Sequence, residues 1–95
     1  DITYWPAAIR AGVRLQTHAR VREITVNEHG MADGVIFYDA DGVERRQRAH
    51  VVVVACNGVG TPRLLLNSRS KLFPDGLANR SGLVGRNLML HPYAM

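Results

Sequence analysis

The sequence has one cysteine, no apolar run of membrane-spanning length and no metal-ligand spacing, and each absence excludes a class of protein. The single thiol, Cys56, forms no disulfide within the chain and cannot build a cysteine-rich metal site. The longest apolar run, residues 51–56, is far too short to cross a membrane. The four histidines lack the i, i+4 spacing typical of metal ligands (His18, His29, His50 and His91). We therefore expect no metal site.

Aromatic residues are also scarce, at 6% of the chain, and none is interleaved with the basic clusters. The net charge is +4, and the positive residues group as Arg20/Arg22, Arg45/Arg46/Arg48 and Arg63/Arg69/Lys71. Such clusters can mark a nucleic-acid interface, but that interface also needs aromatic rings on which bases stack. The middle cluster is more typical of a solvated strand or turn. We expect no nucleic-acid partner.

The length of 95 residues allows at most one small domain, and the 46% hydrophobic content is typical of a globular protein. A chain of this size buries a modest core and is marginally stable without a partner or cofactor. It opens on Asp1 with no signal-peptide pattern and closes on Met95 with no cap pattern. We interpret it as an internal piece of a longer protein, whose compartment the sequence leaves open.

The first half of the chain predicts a helix followed by a small antiparallel meander. Residues 4–11 read as a helix closed by Gly12, and alternating residues 13–17 as a short strand. Further strands are predicted over residues 19–26, 34–38 and 43–49, joined by turns at 27–30 and 39–42.

The second half holds the most informative stretch, a valine strand that enters a glycine turn and then a helix. Residues 51–54 are all valine, and a strand apolar on both faces is usually central and covered, as in parallel α/β sheets. Thr61 is a suitable N-cap and Pro62 a suitable first helical residue. Residues 68–86 read as an irregular loop. Strand, glycine turn and helix N-terminus together favour binding of a phosphate-bearing cofactor.

Three motifs, in this order along the chain, resemble the glucose–methanol–choline (GMC) flavin oxidoreductases. The segment 12–21 is similar to the family strand whose last valine contacts adenine. Residues 58–68 (GVGTPRLLLNS) are similar to the family's second signature, and residues 82–91 to its G-x-V-G-x-N-L-x-x-H segment. The resemblance implies an α/β fold: residues 1–95 as part of an FAD-binding, Rossmann-like domain with an inserted antiparallel β-meander, in which residues 82–95 lead toward the substrate domain.

The same resemblance implies an FAD-dependent enzyme that takes a hydride from the CH–OH group of an alcohol or sugar and passes electrons to an acceptor partner. The family's Gly-x-Gly-x-x-Gly loop and its catalytic histidine have no match here, so no catalytic residue is assigned and the rest of the parent chain is a necessary partner. Two departures, Asn57 and Arg69 where many members have glycine, are similar to bacterial sugar or sugar-acid dehydrogenases.

Six residues are candidate cofactor contacts: Val21, Ala55, Cys56, Asn57, Gly58 and Asn87. The resemblance implies that Val21 meets adenine through its backbone, with a simple strand valine as the alternative. Ala55 to Gly58 end the valine strand, where ligands of α/β sheets gather, and we expect them near the ADP part of FAD. The alternative is a turn chosen only for packing.

The remaining polar candidates have structural interpretations. A buried, inert Cys56 is favoured over a reactive thiol, and Thr61 is expected to act as a helix cap alone. The resemblance places Asn87 near the flavin, and His91 before Pro92 is interpreted as structural rather than catalytic.

Two other functions stay open at this point. One is a stand-alone module that binds a nucleotide without redox chemistry. The other is an interaction segment that uses its open strand edge to pair with another chain. The enzyme hypothesis differs from both because it predicts a Gly-x-Gly-x-x-Gly loop upstream of this segment and a histidine-containing active-site region downstream.

Overall fold

A three-stranded antiparallel sheet organises the first half of the chain. The computed structural model describes residues 2–90. Its strands are β1 (Arg20–Val26), β2 (Ala32–Tyr38) and β3 (Glu44–Arg48), in the order β1-β2-β3. The predicted meander is confirmed, with β2 starting two residues earlier than expected.

Both hairpin turns are fixed by an acceptor side chain at their first residue. Oδ1 of Asn27 accepts the backbone N–H groups of His29 and Met31, each at 3.0 Å. Oδ1 of Asp39 likewise accepts the N–H groups of Asp41 and Val43, at 3.0 and 2.9 Å. Asparagine and aspartate at the first position of a turn stabilise it by this local bond, so the sequence signal and the observed turns coincide.

The sheet is irregular in β1 and unusually close between β2 and β3. The register of β1 against β2 shifts between Val21 and Glu23, which indicates a β-bulge. The bulge explains why neither face of this strand reads as cleanly apolar. A Cβ at Gly34 would lie 2.3 Å from the carbonyl oxygen of Gln47, so β3 approaches β2 at a place that only glycine permits.

Two helices flank the sheet in sequence: α1 (Trp5–Arg10) and α2 (Asn57–Asn67). Helix α1 matches its prediction, and Gly12 follows it at φ +95°. Helix α2 begins four residues before the predicted cap at Thr61, so that prediction is wrong. Pro62 lies inside the helix rather than at its start. It has no N–H to bond the carbonyl of Gly58 four residues earlier, a cost that the helix tolerates in its second turn.

Two predicted strands do not form among residues 2–90. Residues 13–17 are irregular. The valine segment, residues 51–54, belongs to no sheet; Val51 and Val53 are 75% and 83% exposed, whereas Val52 and Val54 are half-buried. The prediction of a strand covered on both faces is therefore wrong for this part of the chain. A strand needs a hydrogen-bonded neighbour and covering layers, and residues 2–90 supply neither at this place.

The core lies where α2 packs on β1. Among residues 2–90, the one buried hydrophobic residue is Ile24 of β1, which is 6% exposed. The one buried polar residue is Ser68, at the end of α2. The loop after α2 folds back over the helix, with the N–H of Leu77 donating to the carbonyl of Leu65 at 2.9 Å. Neither helix of residues 2–90 has the length and apolarity needed to cross a bilayer.

Candidate functional site

The turn that opens α2 is organised by Asn57. Its φ of +59° lies in the left-handed region, and its Oδ1 accepts the N–H groups of Val59 at 2.9 Å and Gly60 at 3.1 Å. Cys56, the residue before the helix, gives no side-chain cap. The cap is thus Asn57 rather than Thr61, because an asparagine oxygen satisfies the second and third N–H groups of a helix. The signal in the sequence was the Asn-Gly pair that starts the turn.

The capping leaves a small open surface of backbone at residues 57–58. The N–H groups of Val59 and Gly60 are taken by the cap, whereas those of Asn57 and Gly58 have no partner within residues 2–90. A Cβ added at Gly58 would meet no atom within 4 Å. The space beside Gly58 therefore fits the close approach of a bulky cofactor with one or two backbone donors, and it does not form a complete phosphate cradle.

Ala55 and Cys56 border this open surface. Both are exposed, and Cys56 is a free thiol. The expectation of a buried Cys56 is therefore wrong, because no described element covers the turn. Small, exposed side chains at this place leave the backbone of the turn accessible.

A cleft of about 370 Å³ connects this turn with the segment around Asn87. Gly58 and Val59 line one side of it, and Gly85, Arg86 and Leu88 line the other. The two segments meet because Gly85, at φ +80°, lets the loop approach α2: a Cβ there would lie 3.0 Å from Cδ1 of Leu66. Two of the sequence-predicted regions are thus brought together. Asn87, at φ +56°, lies between two lining residues without lining the cleft itself.

Val21 lies apart from this cleft. It is 40% exposed, pairs with Phe37 on β2, and does not line the cleft beside Gly58. Since β1 is an edge strand of the described sheet, alternate backbone groups of β1 face away from β2. This open edge leaves backbone N–H and C=O groups of β1 available to a ligand.

Three arginines of the sheet, Arg22, Arg45 and Arg46, are paired with acids. Nε of Arg45 lies 2.9 Å from Oδ2 of Asp39, and Nη2 of Arg46 lies 3.0 Å from Oδ2 of Asp33. The pKa of Asp33 is lowered by the hydrogen bond from Thr25 and by Arg46. The pKa of Asp39 is lowered by Arg45 and by backbone N–H groups. The prediction of a solvated strand or turn is confirmed by the exposed strand β3, and the ion pairs of Arg45 and Arg46 are an addition from the structure.

The positive charge beside the cleft lacks such compensation. Before residue 50, seven Lys or Arg face seven Asp or Glu, whereas five basic residues and one acid follow it, so the whole net charge of +4 lies after residue 50. Arg63 and Arg86 line the cleft, and no carboxylate of residues 2–90 pairs with either. An anionic ligand is favoured on this side of the molecule.

Metal-ligating and proton-transferring groups do not gather at this site. Among residues 2–90, no group of three or more His, Cys, Asp or Glu side chains is arranged to hold a metal ion. The prediction for His91, structural before Pro92, lies outside the described residues. What the described site offers chemically is a shaped surface for holding a ligand.

The sequence of the chain is similar to a family of known proteins. Residues 1–93 match the family model described as GMC oxidoreductase, whose N-terminal domain is the FAD-binding region of the family. The chain is 50% identical over 90 residues to 2-methyl-1,2-propanediol dehydrogenase of Mycolicibacterium austroafricanum, with 94% of the chain covered. It is 39% identical to the fructose dehydrogenase large subunit of Gluconobacter japonicus and 38% identical to 6'''-hydroxyparomomycin C oxidase of Streptomyces lividus, each over 90% of the chain. It spans 16% of the length of each relative.

Proposed function

Because this chain belongs to the GMC oxidoreductase family, we propose that it is an internal segment of an FAD-dependent dehydrogenase that transfers a hydride from a substrate CH–OH carbon to flavin. The chain spans 16% of the relatives it matches, so the catalytic groups are assigned to the rest of the parent protein. FAD supplies the redox chemistry when bound, and the protein binds and orients it. The task of these residues is to hold one part of the cofactor.

The observation that carries this proposal is the open backbone at Gly58. A side chain there would meet no protein atom, although the residue sits at the start of a helix next to two N–H groups without partners among residues 2–90. Exposed backbone of this kind is what a ligand fills when it approaches closely. We assign Ala55, Cys56, Asn57 and Gly58 to the ADP part of FAD, Val21 to adenine through its backbone, and Asn87 to the flavin side.

The proposed fold of the parent domain is Rossmann-like. Exposed and half-buried side chains alternate over residues 51–54, as on the two faces of an extended strand, and we assign the neighbouring strands to another part of the parent protein. In this arrangement the valine segment becomes an inner strand and β1–β3 form the inserted meander. Residues 82–95 then lead toward the substrate domain, next to the cleft that Gly85 and Leu88 line.

The proposed substrate class is an alcohol or a sugar. The names of the relatives refer to a propanediol, to fructose and to a hydroxyparomomycin. One relative is named a large subunit, which supports a further subunit for the parent protein, and we assign the role of electron acceptor to such a partner. The ion-paired sheet and the absence of interleaved aromatics favour small-molecule chemistry over a nucleic-acid partner.

The test uses the full-length protein with 2-methyl-1,2-propanediol and fructose as probes. We expect it to carry visible flavin absorbance that one of these substrates bleaches without oxygen. Gly58→Val should weaken FAD binding by roughly tenfold or more, the scale of a steric overlap of 1–3 kcal/mol. Gly42→Val is the matched control, because a Cβ at Gly42 also meets open space and no cofactor contact is assigned to the turn between β2 and β3. It should lower stability more than FAD affinity.

Three results would contradict parts of this proposal. A full-length protein that neither carries nor binds FAD removes the enzyme assignment, and adenine-nucleotide binding without flavin would support the binding module instead. Flavin that neither probe bleaches contradicts the prediction that a small diol or fructose is the substrate. Full FAD affinity in Gly58→Val shows that the cofactor lies elsewhere.

A further inference from the structure

One hydroxyl joins the end of α2 to the sheet. Ser68 follows the last residue of α2, is 4% exposed, and is the buried polar residue of the described chain. Its Oγ donates to the carbonyl of Leu64 at 2.7 Å and accepts the backbone N–H of Ile24 at 2.8 Å. The second bond spans 44 positions of sequence. Among residues 2–90, this is the one hydrogen bond that links the end of α2 to the sheet.

The bond lies at the centre of the packing. Ile24 is the most buried apolar residue of β1, and its N–H points to the strand edge that β2 does not occupy. Without an acceptor, this N–H would be buried and unsatisfied, which costs about 1–3 kcal/mol. Serine suits the place because one hydroxyl donates and accepts at the same time. The hydroxyl thus fixes the position of the helix end against β1.

Both elements joined by Ser68 carry proposed cofactor contacts. Gly58 lies ten residues before Ser68, about 15 Å along the helix axis at 1.5 Å per residue. Val21 lies three residues before Ile24 on the same strand. If this bond is lost and the end of α2 shifts by about 1 Å along β1, the helix moves as a rigid rod and carries the turn at Gly58 by a similar distance. A displacement of this size is enough to disturb a ligand held between two elements.

We propose that Ser68 is a positioning residue that holds α2 against β1, so that the open turn at Gly58 and the edge of β1 engage one cofactor molecule. This inference rests on the proposed FAD function. It assigns Ser68 no contact with the cofactor, and its effect passes through the orientation of the helix. It also gives a physical reason for a serine directly after a leucine-rich helix.

The test measures FAD affinity in the full-length apoprotein rather than turnover. Titration of apoprotein with FAD, followed by flavin fluorescence, gives Kd for each variant. We expect Ser68→Ala to raise Kd about tenfold, the scale of a lost buried hydrogen bond, and Ser68→Cys to raise it less, because a thiol is a weaker donor and acceptor. The control is Ser70→Ala, because the one hydrogen bond of Oγ of Ser70 among residues 2–90 is from the local N–H of Phe73 at 3.2 Å, and Kd should stay within about twofold.

The outcomes separate this inference from the function on which it rests. Wild-type protein that fails to bind FAD removes the proposed function. Wild-type protein that binds FAD, with a Ser68→Ala variant of lower melting temperature and unchanged Kd, overturns the positioning role and leaves a structural serine. If Ser68→Ala gives no soluble protein, Ser68→Cys decides: an intermediate Kd supports the inference, and a wild-type Kd overturns it.

Discussion

At the scale of single residues, the left-handed conformation of Asn57 determines how α2 begins. Glycine and asparagine are the residues that adopt this conformation most readily. This explains why an asparagine stands where many GMC proteins have glycine: both satisfy the backbone, and only asparagine adds a cap. The departure that separated this chain from the common signature is therefore conservative in conformation.

Substitutions at Asn57 should rank by these two contributions. Asn57→Gly keeps the conformation and loses the cap oxygen, at a cost of a few tenths of a kcal/mol. Asn57→Ala loses the cap and strains φ, at a cost of about 2–3 kcal/mol. Thermal unfolding of the full-length apoprotein should therefore give melting temperatures in the order wild type, Asn57→Gly, Asn57→Ala. Equal melting temperatures for the two variants would show that the left-handed φ is not retained.

A second residue-scale feature is the carboxylate of Asp33, which is bonded to a hydroxyl and to an arginine of the sheet. Asp33 accepts a hydrogen bond from the hydroxyl of Thr25 and pairs with Arg46 at 3.0 Å, and both interactions lower its pKa below the ordinary 3.8. A carboxylate with a lowered folded-state pKa stabilises the fold above the unfolded pKa, and this stabilisation is lost as pH falls through the folded pKa.

Thr25→Val should therefore destabilise the protein in a pH-dependent way. The difference in melting temperature between wild type and variant should be largest above about pH 5, where Asp33 is ionised in both states, and should shrink as pH falls below its ordinary pKa. Thermal unfolding from neutral to acid pH measures this. Thr17→Val, a threonine outside the sheet, is the control. A difference that stays constant down to pH 2 would contradict the assignment to Asp33.

At the scale of elements, the loop after α2 is held close to the helix by Gly76. A Cβ at Gly76 would lie 2.9 Å from the carbonyl oxygen of Leu65 and from Cα of Leu66, and its φ is +104°. Gly82, in the same loop at φ +68°, has open space instead. The two glycines therefore share the conformational requirement and differ in packing.

Alanine at these two positions separates the two effects. Gly82→Ala should cost about 1–2 kcal/mol, the penalty of the left-handed conformation alone. Gly76→Ala should cost about 1–3 kcal/mol more, because backbone atoms of α2 must move away. Melting temperatures of the full-length protein check the order, and FAD titration shows whether moving the loop reaches the cleft. Equal destabilisation would mean that the loop does not pack on α2 as described.

The elements predictable from the sequence were those set by local chemistry. Both hairpins followed from Asn27 and Asp39, whose side chains close their own turns. The start of α2 was missed because Thr61-Pro62 is a valid helix start by the same rules that Asn57 satisfies four residues earlier. The cleft could not be derived at all, because it depends on Gly85 meeting Leu66, a contact between segments that no local pattern links.

At the scale of the whole molecule, the described chain has little interior. Among residues 2–90, Ile24 is the one buried hydrophobic residue and Ser68 the one buried polar residue. The large apolar side chains of Val51, Val53 and Met89 are 75%, 83% and 91% exposed. The radius of gyration is 15.7 Å, against about 12 Å expected for a compact domain of this length. The surface left open is apolar at the valine segment and basic after residue 50, and both are surfaces that a larger protein would cover.

The 95-residue chain expressed alone should therefore not fold cooperatively, because the apolar area it buries is too small to offset the conformational entropy of ordering it. We expect weak circular dichroism in the far ultraviolet, binding of a hydrophobic dye, and no sharp thermal transition, whereas the full-length protein should show all the signs of a folded flavoprotein. Sequential truncation of the full-length protein toward residues 1–95 would locate the point at which cooperativity is lost. A monomeric 95-residue chain that unfolds sharply and binds adenine nucleotides would contradict this expectation, since its core would then suffice without the rest of the family domain, and the binding module would be the better description.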